Sequence, residues 1–340
     1  MNTMSYLGPR PDELIRSSRV FNLGLFNVRI SSNLEVFHAY DYLVEAADES
    51  LPVAFDLVCV DIDRDVVDLE SISRAADTTM RARRMRAGYY NAHHFGAPAY
   101  IVTEPTRTLV FGSNLERLVW PFFIKWFLTR FAVEHGYGHV KAAAVANTHG
   151  AVTLILGRGG GGKTVFLTES CKAGASFVTN THALLTGGTV FGVPSKMRVR
   201  KDVAPRSAAS NTSSEHIEAD SALLDAVDLF PRRLSHGPIA NIAVVNYTGL
   251  HKERVERLAP EILKTFAHQF ALAISTYGLR HDLFAASGYD LHRYATDYDA
   301  QVEHMLATFS GVPSFEIDAD LFDVEVRDRI LLKLGLQETV

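Results

Sequence analysis

Eight consecutive residues, Gly157-Arg158-Gly159-Gly160-Gly161-Gly162-Lys163-Thr164, follow the spacing G-x-x-x-x-G-K-[ST], which suits the phosphates of a nucleoside triphosphate. Four consecutive glycines lack β-carbons, so the backbone can turn tightly and aim several N–H groups at one anion. Lys163 would bring a positive point charge to the β- and γ-phosphates, and Thr164 a hydroxyl for Mg²⁺. A helix starting there would add the positive end of its dipole. In a chain of 340 residues the bare pattern arises by chance on the order of 1% of the time, because glycine makes up only ~7% of residues.

Such a loop works only between a strand and a helix, and both are written around it. Ala151 to Leu156 is a short, β-branched, apolar run ending at the glycines, as a buried strand would be. Thr164 to Lys172 has helical room before Gly174 stops it. Upstream, Val140 to Ala146 reads as a second strand, joined to the first by the tight turn Asn147-Thr-His-Gly150, so an antiparallel pair leads into the loop. Further strands are expected at Val20 to Ser31, Ala54 to Asp61, twice within Tyr100 to Phe111, at Phe177 to His182, at Ile239 to Tyr247 and at Val312 to Ile317. Helices are expected at Leu69 to Gly88, Pro121 to Glu134, Arg257 to Thr276 and up to Phe309.

Composition sets limits on the rest. With 47% hydrophobic and 21% charged residues, the chain can bury a large core in one large domain or two. The division expected is an accessory α+β domain over 1–115 and a nucleotide-binding domain over 116–340. A net charge of −5 and the lack of a long basic run argue against nucleic acid as the main partner. The densest patch, Arg81 to Arg86, reads as a solvated helix face. Two cysteines, Cys59 and Cys171, do not make a disulfide framework and fit a reducing cytoplasm. Met1 to Arg19 carries charges and prolines without an apolar stretch, so no secretory signal is expected. Leu118 to Val133 is interrupted by Lys125 and Arg130 and is too short to span a bilayer, which makes it a core helix. His93 and His94 would point to opposite faces of a strand with no third ligand evident, so no metal is expected there.

From Val140 to Leu185 the chain resembles the HPr kinase/phosphorylase and phosphoenolpyruvate carboxykinase superfamily, in particular the HPr-kinase-like kinases of natural-product clusters such as those of lasso peptides. The matching pieces are the strand Val140 to Val145, the turn Asn147 to Gly150, the strand Val152 to Leu156, the loop Gly157 to Thr164, a helix ending at Gly174, and the segment Phe177-Val-Thr-Asn-Thr-His182. The resemblance implies an α/β fold with a P-loop core on a mixed sheet. It also implies a histidine in the first strand and aspartates in the last, one of which acts as general base or magnesium partner. Here those positions hold Lys141, Asn180 and Thr181. Asn180 cannot take up a proton at neutral pH and is a weaker metal ligand than a carboxylate.

Three substitutes for the missing acid come from the sequence. His182 stands two residues beyond Asn180, on the same strand face, and could act as base. Asp202 or Glu169 could enter from elsewhere, or transfer could proceed by positioning and charge neutralisation without a strong base. Beyond that strand Lys196, Arg198 and Arg200 alternate, so their side chains could hold phosphate or line a solvated edge. Ala204 to Glu215, with Arg206, is a polar loop that could close over a substrate.

The expected activity is phosphoryl transfer from Mg-ATP or Mg-GTP to a hydroxyl of a small metabolite or peptide. Gly157 to Thr164, Arg198 and Arg200 would serve the nucleotide, Thr164 the metal, and Lys163, Asn180 and His182 the chemistry. The alternatives are nucleotidyl transfer at the same site, or a nucleotide-binding regulator without chemistry. Homo-oligomerisation is left open.

Overall fold

The computed structural model describes residues 11–47, 50–65, 67–68, 76–78, 82–85, 88–91, 99–104, 106–200 and 221–337. It divides into two compact units, Met1–Ile124 and Lys125–Val340. His93, His94, Asp202, Arg206 and the Ala204 to Glu215 segment lie outside the described residues. So do the side chains of Arg198 and Arg200.

The first unit is built on one mixed sheet of β1 (Ser17–Asn22), β2 (Asn27–Ser32), β3 (Val53–Asp61), β4 (Ala76–Thr78), β5 (Ala82–Met85), β6 (Gly88–Asn91), β7 (Ala99–Thr103) and β8 (Thr108–Gly112). Their order is β1-β2-β3-β8-β7-β6-β5-β4. β3 lies parallel to both β2 and β8, and its residues Leu57 to Val60 are fully buried, as a strand flanked on both edges should be. The apolar run expected as one strand over Val20 to Ser31 is the β1/β2 hairpin, turned at Gly24 with φ +93°. The helix expected over Leu69 to Gly88 is not formed where the chain is described. Ala76–Thr78, Ala82–Met85 and the start of Gly88–Asn91 are strands, and Arg83 and Arg84 pair with Tyr90 and Tyr89. Cross-strand pairing, which a local period cannot report, decides that segment.

The second unit carries the glycine octet. Its strands are β9 (Gly138–Lys141), β10 (Ala143–Ala146), β11 (Val152–Leu156), β12 (Ser176–Thr179), β13 (His182–Thr186), β14 (Thr189–Gly192), β15 (Met197–Arg200), β16 (Ser221–Leu224), β17 (His236–Val245), β18 (Glu253–Arg257) and β19 (Ser314–Ala319). The helices used below are α1 (Lys125–His135), α2 (Lys163–Lys172), α3 (Pro260–Phe270), α4 (Arg280–Ala286), α5 (Leu291–Phe309) and α6 (Val324–Lys333). The central sheet runs β12-β10-β11-β17-β14-β13-β9, with β19 and then β18 added beside the second half of β17. β10 and β11 pair antiparallel with Ala146 opposite Val152, as the Asn-Thr-His-Gly turn requires; the Asn147 carboxamide oxygen accepts from the N–H groups of His149 and Ala151.

Alternation along the central strands explains the layers. Ala143, Val145, Ile155, Ala243 and Val245 face one core, closed by Phe166 and Leu167 of α2 and by Val326, Ile330 and Leu331 of α6. Ala144, Ala146, Leu154, Leu156, Ile242 and Val244 face the other, closed by Leu263 and Ala267 of α3 and Met305 and Phe309 of α5. Strands apolar on both faces must be covered on both, and at ~25 cal/mol per Å² each buried side chain of this kind contributes about 1.5–3 kcal/mol before entropy is charged. The unit is therefore a mixed α/β sandwich of three layers, with β11, β17 and β19 parallel at its centre. Arg198 and Arg200 belong to β15, which pairs with β16 in a separate two-stranded ribbon.

Two strands read as continuous are broken. The run Val140 to Ala146 splits at Ala142 into β9 and β10, and the run Phe177 to His182 splits at Asn180–Thr181 into β12 and β13. The breaks face each other, since the Ala142 N–H donates to the Thr181 carbonyl at 3.0 Å. The chain switches partners there: β10 pairs β12, while β9 pairs β13 with Lys141 opposite His182. No helix among the described residues is long and apolar enough to cross a membrane.

Candidate functional site

The octet folds as a loop between β11 and α2. Gly160 and Gly162 stand at φ +75° and +95°, where an L side chain is strained. A β-carbon on Gly157 would lie 2.5 Å from the Val245 carbonyl oxygen of the neighbouring strand, so backbone passes backbone with no room between. Gly162 caps α2 without a side-chain acceptor; its carbonyl receives the Phe166 N–H at 2.9 Å, leaving the N–H groups of the first turn outside the helical ladder. Arg158, Gly159, Gly160 and Thr164 are exposed, and Thr164 stands in the first turn of α2. The loop is tied to the end of β17: the Tyr247 N–H donates to the Gly161 carbonyl at 3.2 Å, and Arg158 Nε to Asn246 Oδ1 at 3.2 Å.

Lys163 folds back over the loop, its Nζ donating to the carbonyls of Gly157 at 2.7 Å and Arg158 at 2.9 Å. Its ammonium has lost much of its water. Burial first, and the charge of Lys141 second, bring it down to about 8. Two more half-buried lysines share this environment. Lys125, at the start of α1, places its Nζ 4.3 Å from the centre of the Tyr277 ring, and Lys141, at the end of β9, places its own 5.7 Å from the same ring. Burial, then Lys141, brings Lys125 down to about 8, and burial lowers Lys141. Among the described residues none of the three ammonium groups has a carboxylate within salt-bridge distance.

Behind the lysines lies a buried polar chain. Thr129 Oγ1 is 2.9 Å from His139 Nδ1, His139 Nε2 is 3.1 Å from His182 Nδ1, and the Tyr277 hydroxyl is 3.5 Å from that same nitrogen. One assignment of protons serves all three contacts: Thr129 donates to His139 Nδ1, while His139 Nε2–H and the Tyr277 hydroxyl both donate to His182 Nδ1. Both rings are held neutral. Burial, then the charge of Lys125, takes His139 down to about 3; burial, then His139, Lys125 and Lys141, takes His182 well below its ordinary value. Burial likewise raises the Tyr277 phenol well above its usual range.

The sequence expectations divide here. Lys163, Thr164 and the loop glycines lie together as the motif requires. Asn180 sits in the bend between β12 and β13, its carboxamide oxygen accepting from Ser195 Oγ at 2.7 Å and its Nδ2 donating to the Lys196 carbonyl at 3.4 Å. His182 does not share a strand face with Asn180, because the strand ends between them and His182 begins β13 inside the core. Glu169, considered as an incoming acid, is instead buried on α2 and paired with Lys172 at 2.6 Å and Arg327 at 3.4 Å, which fastens α6 to α2.

Sequence reasoning missed Lys125 and the Tyr277 ring as parts of this cluster. It also missed the acid at the end of β19. Asp318 is buried and accepts from the Thr248 N–H at 2.9 Å, from the Thr248 hydroxyl, and from His251 Nδ1 at 2.8 Å. Burial pushes its carboxyl up, but those hydrogen bonds outweigh it and hold the group below its usual range.

The arrangement fits a polyphosphate: a backbone cradle that a β-carbon would fill, helix N–H groups outside the helical ladder, and ammonium groups without carboxylates among the described residues. For Mg²⁺ the fit is narrower. Thr164 offers a hydroxyl, and no group of three or more His, Cys, Asp or Glu that could hold a metal exists among the described residues. Mg²⁺ would depend on phosphate oxygens and water for the rest of its shell. No family model matches this chain, and no curated protein sequence matches it.

Proposed function

We propose that the second unit is an HPr-kinase-like P-loop core that binds ATP or GTP with Mg²⁺ through Gly157 to Thr164 and transfers a phosphoryl group to the hydroxyl of a small metabolite or peptide. The observation that carries this reading is the strand–loop–helix unit itself. The Gly157–Gly162 turn is forced by the close passage of Val245, and Lys163 lies across its mouth. The antiparallel β10/β11 pair leading into the loop supports the particular branch of P-loop proteins.

In this reading the loop N–H groups and Lys163 hold the β- and γ-phosphates, and Thr164 holds Mg²⁺, which would offset phosphate charge when bound. Arg158, braced by Asn246, reaches the outer phosphates from the exposed lip. Arg198 and Arg200 are assigned the same role from sequence alone. Asn180, held by Ser195, contributes a fixed amide dipole and no base. His182 has too low a proton affinity to drive deprotonation, and its part is to fix Tyr277 beneath the lysines. Transfer then rests on positioning and charge neutralisation, which supply most of phosphoryl-transfer catalysis.

The test is a titration of the full chain with Mg-ATP and Mg-GTP, followed by incubation with an acceptor pool and mass spectrometry of the products. Micromolar binding and a product heavier by one phosphoryl group are expected. A nucleotidylated product would move the chemistry to the α-phosphate. Tight binding with neither product nor hydrolysis would support the second reading, a nucleotide-binding regulator, which the Asn180 side chain favours. Absence of binding would remove the P-loop assignment.

A further inference from the structure

We infer that Lys125 and Lys141, mounted on Tyr277 beside the phosphate loop, form a second anion subsite, and that it holds a phosphate or carboxylate group of the acceptor itself. This inference rests on the proposed phosphotransferase reading and narrows its acceptor to an anionic molecule.

The geometry makes the argument. Lys125 enters from the first turn of α1 and Lys141 from the last residue of β9, two elements with no sequence pattern in common, yet both ammonium groups come within 6 Å of one ring centre. The ring is fixed from behind by the Tyr277 hydroxyl on His182, and His182 is in register with Lys141 across β9 and β13. Lys141 is close enough to both Lys125 and Lys163 to depress each of them, so the three form one positive field. Bringing like charges together out of water is costly, and a ring quadrupole offsets only part of that. Even the more exposed cations Lys172 and Arg329 of this unit are paired with a carboxylate, Glu169 and Glu253. The described residues provide none for Lys125 or Lys141.

The triphosphate does not account for all three lysines. In the proposed reading the loop N–H groups, the α2 N-terminus and Lys163 are assigned to the β- and γ-phosphates. Lys125 and Lys141 belong to α1 and β9, outside the Gly157–Thr164 loop, and Lys141 acts on Lys163 through its charge. An anion held by these two would be repelled by the nucleotide unless the lysines lay between them. The two desolvated ammonium groups, which have no carboxylate among the described residues, favour an acceptor that carries negative charge.

The experiment saturates the full chain with Mg²⁺ and the β,γ-imido analogue of ATP, then titrates inorganic phosphate in one arm and succinate in the other. Saturable binding of at least one anion is expected; the arm that binds says whether the subsite prefers phosphate or carboxylate. In Lys125→Met and Lys141→Met this binding should weaken at least tenfold, with a much smaller loss of analogue affinity, and Lys125→Arg should restore most of it. Thermal melts of the same variants check that they are folded, and the Arg variant answers a change caused by packing alone. Three results would each overturn the subsite: neither anion binds to the nucleotide-loaded chain, the Met variants bind it as wild type does, or they lose the analogue and the anion together. The last would give the lysines to the γ-phosphate. Failure of the analogue to bind wild type is a separate outcome and overturns the nucleotide reading, and the subsite with it.

Discussion

Two corners of the second unit lie at the carboxyl ends of the parallel strands that flank β17, and they solve the problem of a buried charge in opposite ways. At the end of β19, Asp318 is surrounded by donors: the Thr248 N–H and hydroxyl and the His251 ring bind both of its oxygens, and it stays ionised below its usual range. Past the end of β11, Lys163 folds onto backbone carbonyls while Lys141 and Lys125 lie over the Tyr277 ring, with no acid to meet them among the described residues, and all three are pulled below their usual range. The first corner is complete in itself, and its work is structural. The second is stable only at a cost, and a cost of that kind at the end of an α/β strand is where a ligand is expected.

The largest effect that could break this contrast concerns nucleotide affinity. Lys163→Ala should weaken Mg-ATP or Mg-GTP binding at least 100-fold, about 2.7 kcal/mol, whereas Asp318→Asn should leave it within about threefold by calorimetric titration. Equal losses in the two variants would mean that the β19 corner belongs to the site.

Stability should respond the other way. Asp318→Asn sets an amide against the Thr248 N–H and removes charge-assisted bonds, so a loss of about 2 kcal/mol in urea denaturation is expected. Lys125→Met keeps an apolar stem beneath Tyr277 and removes a desolvated charge, so it should gain on the order of 1 kcal/mol at pH 7. The folded value of Lys125, about 8, lies below its ordinary 10.5. The gain should therefore be full below pH 8 and vanish as the pH rises past 10.5. A destabilised Lys125→Met at pH 7 would show that the ammonium already has a partner.

The effect of the buried histidines is spread over pH. His139, at about 3 in the fold against 6.5 ordinarily, binds fewer protons than in the unfolded chain. Its contribution is complete above pH 6.5 and is lost as pH falls from there toward 3, with a slope of at most ~1.4 kcal/mol per pH unit; His182 acts in the same direction. Denaturation midpoints between pH 7.5 and 5 should fall more in wild type than in His139→Gln. Parallel curves would remove the neutral-histidine assignment.

How much of this was legible beforehand follows the range of the interactions. The turn Asn147 to Gly150, the β10/β11 pair, the glycine loop and α2 are each closed by contacts within a few residues, so composition and spacing specify them. The helix expected over 69–88 failed where described because Arg83 and Arg84 answer to Tyr90 and Tyr89 across a ladder. His182 was expected beside Asn180 because period-two alternation assumes an unbroken strand. The opposed breaks at Ala142 and Asn180–Thr181 turn it into the core instead.

The amino-acid sequence alone determined the glycine loop, since glycine adopts φ +75° and +95° without strain and Lys163 is spaced to reach back across it. Tertiary structure decided everything about the charge around it: that Lys125 and Lys141 meet over Tyr277, that Glu169 is taken by Arg327, and that Asp318 is satisfied by Thr248 and His251. Backbone conformation is set by neighbours in the chain, whereas desolvation and Coulomb energy depend on what the fold brings together from far apart, and no local spacing encodes that.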